Sequence, residues 1–263
     1  MNNVNKTLYI PLYGKAYVSR RGLLLHDPRA ETVWDAEGFT LKGKAKSKWL
    51  AYYMGMRAAV FDDWLRGQMD AAPDAVIVHI GCGMDSRAER VDTRGHLWFD
   101  VDFPEVIRER QRYYRESGEY RMLGADVGQP DWLAPIPEAK RAIVVMEGVS
   151  MYLQPEALSR LLGGIARHFE EAVLLMDCYT ILAARLSGYR NPINQVGVTR
   201  VFGMDDPSLP ARNTGLVFVK AHDMTPAHLI DTLPGPERGI FRKLYAGSLS
   251  RKLYRLYEYR SGS

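Results

Sequence analysis

The sequence predicts an α/β fold, doubly wound around a mostly parallel sheet, and three features predict it. Short apolar runs alternate with amphipathic stretches between residues 75 and 176. One such run, Ala75-Val76-Ile77-Val78-His79-Ile80, ends on a glycine turn, Gly81-Cys82-Gly83-Met84-Asp85-Ser86-Arg87. A second, Leu97-Trp98-Phe99-Asp100-Val101-Asp102, closes on a carboxylate nineteen residues past Gly83. Strand followed by helix, repeated, is the pattern of a parallel sheet covered on both faces, with right-handed connections and ligands at the carboxyl ends of the strands.

Residues 1 to about 46, irregular and rich in aromatic and basic side chains, read as a lid. Ser47 is placed to cap a helix running to about Asp70, in which Leu50, Tyr53, Met54, Val60, Phe61 and Trp64 recur at helical spacing, with Arg57 on the same stripe. Residues 1–70 thus form an N-terminal helical lid, and 71–263 a Rossmann-like core within one domain. After the strands at 75–80 and 97–102, Pro104 opens a helix to about Ser117, since proline suits a first helical position. Tyr120–Ala125, Arg141–Met146 and Ala172–Met176 read as strands three to five, with a helix over Pro155–Phe169 between the last two. Beyond Asp177 the pattern thins to a helix over Tyr179–Arg190, an irregular insertion over Gln195–Arg212, and two antiparallel strands, Gly215–Val219 and Leu253–Tyr259. The sheet then counts seven strands.

Composition bounds the function. The 263 residues are 46% hydrophobic and 25% charged, ordinary for one globular α/β domain. No apolar run reaches membrane-spanning length and the amino terminus does not resemble a signal peptide, so a cytoplasmic protein is expected, with Cys82 and Cys178 reduced. A net charge of +4 is mild. The basic cluster Lys42, Lys44, Lys46 and Lys48 reads as a solvated loop, so no nucleic-acid partner is predicted, and no membrane partner. His26, His79, His96, His168, His222 and His228 form no ligand spacing with the cysteines, so no metal is expected. The oligomeric state is left open.

Without Cβ atoms at 81 and 83 the backbone can turn sharply and approach a ligand closely, while Asp102 stands where a ribose acid belongs. A dinucleotide fold wants a third glycine beside the pyrophosphate, and position 86 is serine, which disfavours NAD and FAD. S-adenosylmethionine carries the same adenosine without phosphate, and Gly81, Gly83 and Asp102 supply that reduced set. Asp102, Asp126 and Glu147 each end a predicted strand, so three acids converge on one rim, where a sulfonium with an α-ammonium is favoured. Arg57, on a buried helix face, must meet an anion. That anion is an internal Asp or Glu, or a ligand carboxylate.

The glycine turn, Trp98-Phe99-Asp100-Val101-Asp102-Phe103-Pro104, Ala125-Asp126-Val127 and Glu147-Gly148-Val149-Ser150-Met151-Tyr152-Leu153 together resemble the leucine carboxyl methyltransferase family. The likeness is closest to its bacterial branch similar to the tetracenomycin polyketide O-methyltransferase, and runs from about Tyr13 to Asp177, with Asp27-Pro28 and Arg57 included. One departure is His79, where many methyltransferases carry an acid two residues before the first glycine. The resemblance implies a class I methyltransferase fold with S-adenosylmethionine as cofactor. It implies Asp102 on the ribose, Asp126 and the Val127 backbone on the adenine edge, Glu147 by the methionine moiety and Arg57 on its carboxylate. Gly81, Cys82, Gly83 and Asp85 complete the implied cofactor-binding set.

The chemistry is then an in-line displacement at the sulfonium methyl, driven by alignment and exclusion of water. A carboxylate acceptor needs no base; a phenol is helped by one, for which His26 and His222 are the candidates, while Tyr152 is the candidate for the wall of the acceptor pocket. The expected activity is O-methylation of a carboxyl or hydroxyl group on a small, polyketide-like or other specialised metabolite. Alternatives are methylation of a protein's C-terminal carboxylate, a nicotinamide-dependent oxidoreductase, and a cofactor-binding protein without turnover.

Overall fold

The computed structural model describes residues 8–39, 41, 43–187 and 201–261. Met1–Lys6, Lys42, the last residues of the predicted 179–190 helix and the start of the 195–212 insertion lie outside the described residues.

Seven strands form one sheet: β1 Val76–Ile80, β2 Trp98–Asp102, β3 Tyr120–Gly124, β4 Arg141–Met146, β5 Glu171–Tyr179, β6 Leu216–His222 and β7 Tyr254–Ser261. Their spatial order is β3-β2-β1-β4-β5-β7-β6. β1 to β5 run parallel, while β7 lies antiparallel to β5 and β6 antiparallel to β7. The chain winds outward from β1 to β3, then restarts on the other side at β4, so β1 and β4 flank the point of reversal where a crevice opens.

Helices cover both faces. On one side lie α1 Tyr9–Ser19, α2 Pro28–Glu37 and α3 Lys48–Ala71, whose buried Leu12, Phe61 and Leu65 share a core with Ile77, Val145 and Leu175 of the strands. On the other, α6 Pro155–His168 presents Leu158, Leu162 and Ile165 to Val76, Val78 and Val144. Alternate strand residues therefore face opposite cores. Between these, α4 Arg87–Val91 and α5 Pro104–Arg110 follow β1 and β2.

The amino-terminal segment, read from the sequence as irregular, is helical. α1 packs along α3 so closely that a Cβ on Gly14 would fall 2.6 Å from Met54 Cβ, and Leu12, Ala16 and Val18 are at most 1% exposed. These helices are core elements. α2 starts where Asp27 Oδ1 accepts the Ala30 N–H at 2.8 Å and Pro28 takes the first turn. α5 stops at Arg110, short of the predicted Ser117, because the chain then turns to lay Tyr114 under the Arg110 guanidinium, 3.9 Å from the ring centroid. β5 extends to Tyr179 because β7 pairs along it. Between β5 and β7 the sequence reading missed three helices after β6: α8 Ala227–Asp231, α9 Gly235–Leu244 and α10 Ser248–Leu253; α7, Ile181–Ser187, is the described part of the predicted 179–190 helix. Among the described residues no helix is long and apolar enough to cross a membrane.

Candidate active site

Strand register builds the site. Ile80 pairs with Val101 on one side and Met146 on the other, and Met146 pairs in turn with Met176. The next residues, Gly81, Asp102, Glu147 and Asp177, therefore stand side by side at one rim of the sheet. Period two also decides which face they use. His79 follows Ile77, Asp100 follows Trp98, Glu147 follows Val145 and Asp177 follows Leu175, so the face that is apolar at its base becomes charged toward its carboxyl end. Directly opposite lies α3 with Arg57.

A cavity of about 370 Å³ opens at this rim, within the size range of small-ligand sites. Arg57, Gly81, Cys82, Gly83, Asp85, Asp102, Asp126, Val127, Glu147 and Tyr152 all line it. The histidine candidates do not. His26 is exposed between α1 and α2, and His222 on β6 is bound through Nε2 to the buried Glu258 at 2.7 Å. Neither is placed to remove an acceptor's proton, which corrects their candidacy.

Gly81 and Gly83 adopt φ of +66° and +50°, and the Gly83 N–H donates to Asp102 Oδ2 at 2.8 Å. Asp102 Oδ1 accepts from the Phe103 N–H at 2.8 Å. Burial pushes the Asp102 carboxyl above its ordinary range, with those two amides opposing. Each oxygen keeps a lone pair for a further donor. Asp126, exposed at the end of β3, accepts from the Gly128 N–H at 2.9 Å.

The cations below the rim are almost fully buried. Lys15 of α1, 3% exposed, reaches Asp85 at 3.1 Å. Asp85 also meets Arg90 at 3.0 Å and Arg87 at 3.4 Å; burial raises its carboxyl, but these three cations overcome that and hold it well below the usual range. Glu147 is clasped by Arg57 Nε at 2.9 Å and by Arg87, which bring it down to about 2 against the opposing effect of burial. Arg57 has further acceptors in Asp177 Oδ2 at 3.0 Å and the Tyr254 hydroxyl at 2.7 Å. Its anion is therefore internal in this structure.

His79 joins the same system. Arg87 Nη1 lies 3.2 Å from His79 Nε2 and Asp100 Oδ1 lies 3.0 Å from Nδ1. Because a guanidinium only donates, Nε2 accepts and Nδ1 carries the proton. Arg110 then bonds Asp100 and the Gly83 carbonyl, the latter at 3.0 Å, so the glycine turn is gripped from beneath. Burial pushes the Cys82 thiol up and leaves it a poor nucleophile.

Sequence reasoning missed Lys15, Arg87, Asp177 and Tyr254. Lys15 was hidden by reading α1 as irregular; Asp177 carried a usable signal, a polar residue two positions past Leu175 at a strand end. Arg87 and Tyr254 carried none that distinguishes them from a surface arginine and a packed strand tyrosine.

The rest of the cavity lining is largely apolar, Leu8, Ile10, Leu50, Met54, Leu153 and Tyr179 among it. Ile10 of that lining belongs to a small buried cluster with Leu41 and Ala45, packed with Leu50 and Tyr152. The arrangement can hold an elongated ligand: acids on β3, β2 and β4 span three strand spacings, roughly 14 Å at about 4.8 Å each.

Residues 11–166 match the family described as leucine carboxyl methyltransferase. The tetracenomycin polyketide synthesis O-methyltransferase TcmP of Streptomyces glaucescens is 32% identical over 230 residues, 85% of this chain and 84% of that protein. An S-adenosyl-L-methionine-dependent methyltransferase of Gibberella zeae, dpfgK, is 29% identical over 183 residues, 64% of this chain and 61% of that protein. In fold, the chain is similar to magnesium protoporphyrin IX methyltransferase of Synechocystis PCC 6803, solved with bound S-adenosylhomocysteine. The TM-score is 0.52 at 12% identity, over 94% of this chain and 97% of that one.

Proposed function

The chain belongs to the leucine carboxyl methyltransferase family, and from that membership we propose that it transfers the methyl group of S-adenosylmethionine to a carboxyl or hydroxyl oxygen of a small, largely apolar acceptor. The single observation that carries the reading is the convergence of a glycine turn and three strand-end acids on one cavity whose lining is otherwise largely hydrocarbon. The donor set fits the cofactor. Asp102 keeps lone pairs for two ribose hydroxyls, Asp126 and the Val127 backbone stand one strand further out for the adenine edge, and the carboxylate of Glu147 suits an α-ammonium. Lys15 and Arg57 are the cations on the cavity wall toward which a methionine carboxylate would be drawn.

When bound, the cofactor supplies an activated methyl group on a cationic sulfur. What the protein adds is alignment: the buried ion pairs fix the glycine turn and Glu147, and the apolar side chains of the cavity lining, Ile10, Leu50 and Met54 among them, disfavour water beside the acceptor. His79 is the one imidazole among the described residues lining the cavity, and both of its nitrogens are occupied. No imidazole is therefore offered to an acceptor hydroxyl, which favours an acceptor already ionised as a carboxylate.

Titration calorimetry with S-adenosylhomocysteine and with NAD tests the cofactor. Heat with the first alone is expected; heat with NAD alone overturns the assignment. Mass spectrometry of aromatic acids, phenols and a peptide C-terminus after incubation with enzyme and S-adenosylmethionine tests the acceptor, and methylation confined to the peptide would move the activity to a protein substrate.

A further inference from the structure

We infer that Asp177 and Tyr254 are positioning residues that hold the Arg57 guanidinium in the orientation needed to receive the carboxylate of the cofactor's amino-acid tail. The inference rests on the cavity being an adenosylmethionine site. Both residues lie beyond the stretch, 11–166, that matches the family.

The geometry is that of a plate held on two edges. Arg57 donates through Nε to Glu147 at 2.9 Å, and through Nη1 to Asp177 at 3.0 Å and to the Tyr254 hydroxyl at 2.7 Å. A planar guanidinium fixed on two sides cannot rotate, and among the described residues Nη2 is the nitrogen left for a ligand. Gly148 lies directly against the guanidinium: a Cβ there would sit 3.5 Å from Nη2 and 3.6 Å from Nη1, on a backbone at φ +74°.

The two holders are themselves immobilised. Asp177, 0% exposed, accepts from the Gly148 N–H through Oδ1 at 2.7 Å and from the Tyr254 hydroxyl through Oδ2. The hydroxyl of Ser150 donates to the Asp177 carbonyl. The Tyr254 ring is met edge-on by Tyr53 at 6.0 Å and by Tyr179 at 5.2 Å. With its ring fixed, the Tyr254 hydroxyl can donate only to Asp177 while accepting from Arg57. Removing that one oxygen leaves Nη1 with a single acceptor and frees the carboxylate to swing. Neither change touches the part of the cavity where Asp102 and Asp126 lie.

The experiment compares two ligands that share adenosine and sulfur but differ in the tail. S-adenosylhomocysteine has the amino-acid carboxylate; 5′-methylthioadenosine lacks it. Calorimetry on Tyr254→Phe is expected to show affinity for adenosylhomocysteine weakened about tenfold, as for a lost hydrogen bond to a charged group, and affinity for methylthioadenosine changed by less than about twofold. Asp177→Asn should repeat the pattern and carries the comparison if circular dichroism shows Tyr254→Phe unfolded. Equal weakening of both ligands, or of neither, overturns the proposal, as does loss of fold in both variants. Failure of the wild type to bind either nucleoside overturns instead the cofactor assignment beneath it.

Discussion

Arg57 is the residue on which sequence and structure speak most differently. Its place on a buried helix stripe demanded an anion, and spacing alone left both an internal acid and a ligand carboxylate open, with the family resemblance favouring the second. The structure places Glu147 and Asp177 against it, 90 and 120 residues away in the chain. Arg57→Leu is therefore expected to destabilise the ligand-free protein by about 3–5 kcal/mol, because two buried carboxylates lose their shared cation. Urea unfolding measures this, and unchanged or increased stability would contradict the internal pairing. Asp102 has a smaller structural part, two hydrogen bonds to backbone amides, and lone pairs to spare. Asp102→Ala should weaken S-adenosylhomocysteine by about 1–3 kcal/mol in calorimetry; wild-type affinity would remove the residue from the ribose. Asp102 was legible because strand, turn and acid keep a fixed spacing along the chain. Lys15 was not, since nothing in its neighbours distinguishes a buried ammonium from a solvated one.

The glycine turn and the first helix show two ways an element can be specified. At Gly81 the backbone is left-handed, and a Cβ would sit 2.1 Å from Val149 Cγ2. Gly81→Ala is expected to cost more than about 2 kcal/mol by thermal unfolding, and adding Val149→Ala should recover the clash but leave about 1–2 kcal/mol of backbone strain. Full recovery in the double variant would show that only the clash mattered. The requirement for glycine here is local, and the sequence displays it. For α1 the requirement is distant: Leu12 and Val18 are buried only because α3 lies across them. Leu12→Ala should destabilise by about 2–5 kcal/mol, the cost of a core cavity, and not by the near-zero amount expected of a detached lid. The start of α2 was legible in principle, since Asp27-Pro28 is a cap followed by a first-turn proline, and its capping meaning went unread.

Across the whole molecule the sheet is crossed by a line of buried polar side chains, Arg110, Asp100, His79, Arg87, Glu147, Arg57, Asp177 and Tyr254, each hydrogen-bonded to the next, in which arginines alternate with carboxylates and His79 and Tyr254 are neutral. Burial raises Asp100 as it raises Glu147, but Arg110 and His79 overcome it, and both carboxyls lie at about 2. Their folded values are below the ordinary 3.8 and 4.5, so the stability they add is fully present above about pH 5 and drains away as pH falls toward 2. Asp100 alone contributes on the order of 2–3 kcal/mol at neutral pH. Acid unfolding followed by circular dichroism should show a steep loss of stability between about pH 4.5 and 2, and a flat profile there would mean the line is not charged as drawn. The parallel core, the glycine turn and the acids at the strand tips were determined by the sequence itself, because period two, helical spacing and turn chemistry act between near neighbours in the chain. Which arginine meets which acid, and the arrival of Lys15, Asp177 and Tyr254 beside the cavity, were decided only by the tertiary structure. Charges removed from water take whatever partners the strand order sets beside them, and that order, β3-β2-β1-β4-β5-β7-β6, is not the order of the chain.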